Sequence, residues 1–229
     1  MISPWLIALS WAALAGALIS AGWIAVDIYG RGYRQHMKVM EAVWPITALY
    51  LGPVAVWAYR SWGRPGTHRW QAENGDPPAR PGYASTAVSV SHCGAGCTLG
   101  DIAAELLIFA LGGTIAGYAL PAEYIGDYVA ALALGILFQY FAIAPMRGLS
   151  LRNGLIEAAK ADVVSLTAFE LGLFGWMALM YFVFFPAPHH LMPDSPAYWL
   201  LMQAGMIAGF VTSWPVNSWL VRAGIKEAM

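Results

Sequence analysis

Cys93 and Cys97 are the only two cysteines in the 229-residue chain, and they lie four residues apart in Ser91-His92-Cys93-Gly94-Ala95-Gly96-Cys97. Thiolates are soft ligands that favour Cu(I) and zinc, and imidazole suits zinc and copper. With three small residues around them, His92, Cys93 and Cys97 read as a chelating turn. A closed zinc site takes four ligands, often with a second cysteine pair. No second pair exists, so zinc would need His68, carboxylates or another subunit, whereas two thiolates alone can hold Cu(I). The plainer explanation is that Gly, Ala and Cys are simply small enough for a tight turn to pack against neighbouring helices.

The acidic residues that follow extend the pattern. Thr98-Leu99-Gly100-Asp101 has the form of a capping box opening a helix, which makes Asp101 first a cap and only second a ligand. Glu105 lies one turn deeper. A carboxylate facing lipid costs about 2.5–3.5 kcal/mol, so Glu105 is expected to face a bundle interior. Glu170 sits between Phe169 and Leu171 with no basic residue nearby in sequence, and Asp162, eight residues earlier, falls on nearly the same helical face. Read inward, a ladder of soft and acidic groups runs from His189 and His190 through Met177, Met180, Met202 and Met206 to Glu170, Asp162, Glu105 and the thiols. Methionine is also ordinary filler in apolar cores.

The elements that must position these groups are membrane helices. Hydrophobic residues make up 59% of the chain and charged ones 11%, with mean hydropathy +0.57, well outside the soluble norm. A bilayer core of about 30 Å takes roughly 20 apolar residues per helix. Six stretches approach that length: residues 5–26, 43–59, 102–120, 128–146, 163–185 and 197–221. They lack the alternation of an outer-membrane barrel, so the sequence predicts an all-α polytopic bundle of about six transmembrane helices. No Lys or Arg precedes Arg31, so residues 5–26 read as a retained anchor and not as a signal peptide. With six crossings, most basic residues fall on the side of both termini, and the positive-inside rule places both termini in the cytoplasm of a bacterial inner membrane. Arg31, Arg34 and Lys38 in the first loop dissent. Thiols on that side would be reduced.

Three regions follow: a two-helix membrane unit over 1–60, a polar Pro/Gly-rich linker over 61–90, and a four-helix domain over 91–229 that carries the thiol motif. Residues 149–161 read as an amphipathic segment along the interface. Gly113-x-x-x-Gly117 and Gly205-x-x-x-Gly209 fit close helix contacts. Pro215 predicts a kink in the last helix, with Asn217 able to satisfy freed backbone groups. Among catalytic motifs there is no phosphate-binding loop, no HExxH and no nucleophile elbow, which weighs against an enzyme without excluding one. All histidines are expected outside the spans, which disfavours a bis-His haem. Nothing points to nucleic acid.

The segment from Ser91 to Asp101, the phrase Phe184-Phe185-Pro186 leading to His189, and the run from Thr212 to Lys226 together resemble an uncharacterised bacterial integral-membrane family, a domain of unknown function. The resemblance covers Ser91 to the C-terminus. It implies four helices with this thiol motif, and no activity or catalytic residue.

The sequence therefore points first to a membrane protein that transports, binds or senses a soft metal cation such as Cu(I). Cys93, Cys97 and His92 would form the cytoplasmic port, and Glu105 and Glu170 a midplane site. The expected partners are the lipid bilayer and a metal ion, copper or zinc, with room for an oligomer. The alternatives are a non-catalytic scaffold or assembly factor, and third a thiol redox protein.

Overall fold

The computed structural model describes residues 2–226, apart from the side chains of residues 144–146; the last three residues of the expected 91–229 domain lie outside the described residues. Among the described residues the chain is all-helical, with eight α-helices: α1 (Pro4–Ala25), α2 (Met40–Leu51), α3 (Pro53–Ala58), α4 (His68–Asn74), α5 (Gly82–Leu111), α6 (Ala119–Arg147), α7 (Leu151–Leu179) and α8 (Pro196–Arg222). Four helical stretches are long and apolar enough to cross a membrane: Pro4–Gly30, Gly82–Leu111, Ala119–Ile143 and Leu151–Phe184. α8 has comparable length, but Gln203, Thr212, Ser213 and Asn217 dilute its apolar run.

Residues 43–59 do not form one of these spans. Pro53 supplies no amide hydrogen, and Gly52 takes φ +53°, a conformation that glycine adopts freely. Together they end α2 and reverse the chain. Trp44 packs edge-on against Tyr59 with ring centroids 5.7 Å apart, and it also lies against Gly63. Residues 40–63 are thus a helical hairpin that returns to the end of the bundle from which it started.

The flanking loops meet at that end. Asp27, fully buried, forms an ion pair with Arg64 at 3.1 Å and accepts from Arg31 at 3.3 Å and the Tyr59 hydroxyl at 3.0 Å. Tyr33 donates to Glu73 at 2.7 Å, His36 and His68 lie 4.2 Å apart, and Trp62 packs on Tyr83. The dissenting first loop therefore lies beside the second. The expectation that both chain ends share one side rested on residues 43–59 crossing; instead, residues 2–3 and residue 226 lie at opposite ends of the bundle. All twelve Lys and Arg residues gather at the end holding the two loops, the α6–α7 connection and Lys226.

The stretch read as a linker, 61–90, holds α4 and the first turns of α5. Thr67 caps α4 by accepting from the Trp70 amide. Residues 149–161 are not a separate interfacial segment, because α7 runs through them unbroken from Leu151.

From α5 onward the helices pack antiparallel in succession, with small residues at the contacts. A Cβ on Gly96 would meet the Gly135 backbone at 2.7 Å, and one on Gly100 would run into the Ala131 amide. The Gly205/Gly209 pair does pack α8 on α7, against Leu173, Trp176 and Phe169. Gly113 and Gly117 instead lie in the α5–α6 loop. The α2–α3 turn reaches into the middle of this bundle, where Gln203 of α8 donates to the Leu49 carbonyl at 2.7 Å.

Candidate functional site

α5 begins at Gly82, about twenty residues before the apolar run that predicts it, so the thiol motif lies mid-helix and not in a turn. Cys93, Cys97 and His92 are all fully buried. Thr98 is no cap: its hydroxyl donates to the Gly94 carbonyl at 2.7 Å inside the helix. Asp101 is likewise a buried interior residue. The helix tolerates its glycines because each one admits a neighbour: Phe169 at Gly94, α6 at Gly96 and Gly100. Packing here outweighs the weak helix propensity of glycine. His92 accordingly sits inside a span, against the expectation for every histidine.

Four-residue spacing puts Ser89, Cys93, Cys97, Asp101 and Glu105 in one stripe that winds slowly round α5. From Cys93 to Glu105 the stripe extends about 18 Å at ~1.5 Å per residue. It faces polar groups at each level. Glu105 neighbours Asp127 of α6 and Tyr198 of α8, and Glu123 lies within its electrostatic reach. Asp101 lies among Glu170, Asp127 and Glu105. Cys97 neighbours Cys93 and Glu170, and Tyr50, at the hairpin turn, faces both thiols. His92 lies beside Gln139. The Ser165 hydroxyl of α7 donates to Asp162 Oδ1 at 3.0 Å and lies 3.3 Å from Cys93 Sγ, and Lys226 pairs with Asp162 at 3.0 Å.

The result is a file of polar side chains through the bundle interior. At the end opposite the basic residues it opens on a cavity of about 290 Å³ lined by Glu123, Tyr198, Met177, Met180, His190 and Met192, among others. At the basic end it closes on Lys226.

Asp101, Glu105, Asp127 and Glu170 are each at most 1% exposed. No protein donor is aligned on any of their carboxylate oxygens, although Tyr198 and Asp127 lie within hydrogen-bonding reach of Glu105, and Cys97 within reach of Glu170. Proximity without bonding is unusual, since buried polar groups nearly always find partners. An ionised carboxylate left bare in such surroundings is costly, so these groups need protons or a cation to balance them.

Of the sequence-predicted residues, Cys93, Cys97, Asp101, Glu105 and Glu170 come together, and Asp162 joins them through Ser165. The methionine ladder does so only in part. Met206 packs in one core cluster with the thiols and Phe169, while Met177, Met180 and Met202 pack with Leu120, Leu173 and Tyr198. His189 is exposed. His190 stacks on Tyr181 at 3.8 Å and donates from Nδ1 to the Phe185 carbonyl. Among the described residues, no group of three or more His, Cys, Asp and Glu side chains is placed to hold a metal ion.

Sequence reasoning missed Asp127, Glu123, Gln139, Tyr50 and Lys226. An acid inside the apolar run of 119–143 was the available signal for Asp127, because intramembrane carboxylates mark functional interiors.

Residues 83–226 match the family described as Domain of unknown function (DUF4396), which is more than half of the chain, and the chain belongs to that family. No curated protein and no solved structure matches it.

Proposed function

We propose that this member of the DUF4396 family is a polytopic protein of the bacterial plasma membrane that binds and passes a cation along its buried file, with a soft monovalent ion such as Cu(I) as cargo. One observation carries the reading: four buried carboxylates within electrostatic reach of one another, with no donor aligned on them and no basic residue among them. A scaffold would gain by satisfying or omitting such groups. A cation path needs them free.

The hairpin supports the same reading. The C-terminal end of α2 stops beside the thiols, where Tyr50 packs with Cys93 and Cys97. Interrupted helices in transporters use such half-helix ends to hold cations, because the helix dipole is negative there. Cys93 and Cys97 supply the softness that favours Cu(I) over Na⁺ or Mg²⁺. The positive-inside rule places the basic end, with Lys226, in the cytoplasm and the methionine-lined cavity outside.

Copper content after anaerobic loading with Cu(I) tests the binding part. Wild-type protein retains copper through gel filtration, and Cys93→Ser/Cys97→Ser does not. Equal, near-zero copper in both removes the soft-cation cargo.

A further inference from the structure

Lys226 lies beyond α8 and closes the basic end of the file. The chain reaches it through Gly224 at φ +68°, and the amides of Ile225 and Lys226 donate to the Leu220 carbonyl at 3.0 and 3.2 Å, folding the segment back beneath the helix. The Lys226 side chain is fully buried and Asp162 is 1% exposed. An ammonium has three hydrogens to donate, and here three oxygens receive them: Asp162 Oδ1 at 3.0 Å, Asn217 Oδ1 at 3.0 Å and Ser165 Oγ at 3.3 Å. Each receiver is itself held. Asn217 donates from Nδ2 to the Ser213 carbonyl and hydroxyl, which turns its oxygen toward Lys226. Ser165 is fixed by Asp162 and Cys93.

The cage has more acceptor capacity than the lysine uses. Asp162 Oδ2 is buried and has no partner. A lock serving only to fasten the C-terminal segment would leave no charged oxygen unsatisfied at its centre. Four side-chain oxygens from α7 and α8, one carboxylate among them, are the donor set of a hard cation, while the thiol sulfurs that select soft ions lie beyond Ser165. One monovalent ion carries the same charge as the ammonium, so exchange leaves the buried charge balance unchanged.

We infer that Asp162, Ser165 and Asn217 form a binding site for a hard monovalent cation, which the chain's own Lys226 ammonium fills and with which that cation exchanges. The site stands independently of the thiol pair. Where both operate, it puts a second ion at the cytoplasmic end of the file.

Thermal unfolding of purified protein in LiCl, NaCl or KCl, against choline chloride at equal ionic strength, tests the site. Lys226→Met is stabilised saturably by at least one of the three ions, at concentrations at least tenfold below any effect on wild type. Lys226→Met/Asp162→Asn loses the response. If Lys226→Met is no more ion-dependent than wild type, or if the response survives Asp162→Asn, the inference is overturned. Should Lys226→Met not fold, the wild-type chain decides. Acetylation of Lys226 by an N-hydroxysuccinimide ester, read by mass spectrometry with exposed Lys160 as internal standard, rises several-fold in the alkali salts over choline. An unchanged ratio overturns the inference.

Discussion

Trp44 lies over Gly63 so closely that a Cβ on Gly63 would stand 2.6 Å from the indole ring. That contact brings the first turns of α2 against the end of the returning segment, and it fixes residues 40–63 as a hairpin. Its consequence is topological. His36 and Asn74 lie at one end of the bundle, Thr114 and Asp194 at the other. Single cysteines replacing His36 and Asn74 should react with a membrane-impermeant maleimide from the same side, and those replacing Thr114 and Asp194 from the opposite side. A chain that crossed at residues 43–59 would put His36 and Asn74 on opposite sides.

At Gly100, α5 lies against α6, with α6 backbone in the way of any added carbon. Backbone cannot swing aside as a side chain can, so Gly100→Ala should cost about 1–3 kcal/mol, as overpacking does. Gly22 in α1 has open space around it, and Gly22→Ala should stabilise by roughly 0.5–1 kcal/mol through reduced backbone entropy. Thermal unfolding in detergent separates the two, with opposite signs expected.

Asp27 binds together the loops that flank the hairpin. Removing one partner of a buried ion pair costs about 3–5 kcal/mol, because the other charge is left uncompensated. Arg64 is 22% exposed and Arg31 more so, so solvent screening puts Asp27→Asn toward or below the lower end of that range. Limited trypsin digestion should cut the 60–80 segment faster in this variant, with the α5–α8 core intact.

Gln203 satisfies the Leu49 carbonyl where α2 breaks off inside the bundle. Gln203→Leu leaves that carbonyl unbonded in an apolar setting, at a cost of about 1–3 kcal/mol. The same hydrogen bond holds the turn beside the thiols, so alkylation of Cys97 in a Cys93→Ser background should accelerate.

Composition and run length were enough to identify a membrane-type helical chain, because lipid imposes twenty-residue apolar stretches that soluble packing does not. The start of α5 was not legible. Residues 82–98 are rich in Gly, Ser and Ala and less apolar than the run that follows them, yet from Ala84 onward they are largely enclosed by α6, α7 and the hairpin, a tertiary fact without local trace. The hairpin did carry a local signal, Gly52-Pro53, which an apolar average over residues 43–59 conceals. Cys93, Cys97, Glu105 and Glu170 stood out as rare residue types in apolar context. Lys226 could not, since its meaning depends on Asp162, 64 residues away.

Flux through the file is the most direct measurement. Proteoliposomes carrying wild-type protein should take up Ag(I), a stable stand-in for Cu(I), faster than empty vesicles. Glu170→Gln and Cys93→Ser/Cys97→Ser, both folded, should each return uptake to the empty-vesicle rate. Uptake at the empty-vesicle rate in wild type, or unchanged uptake in both folded variants, would contradict a cation path along these residues.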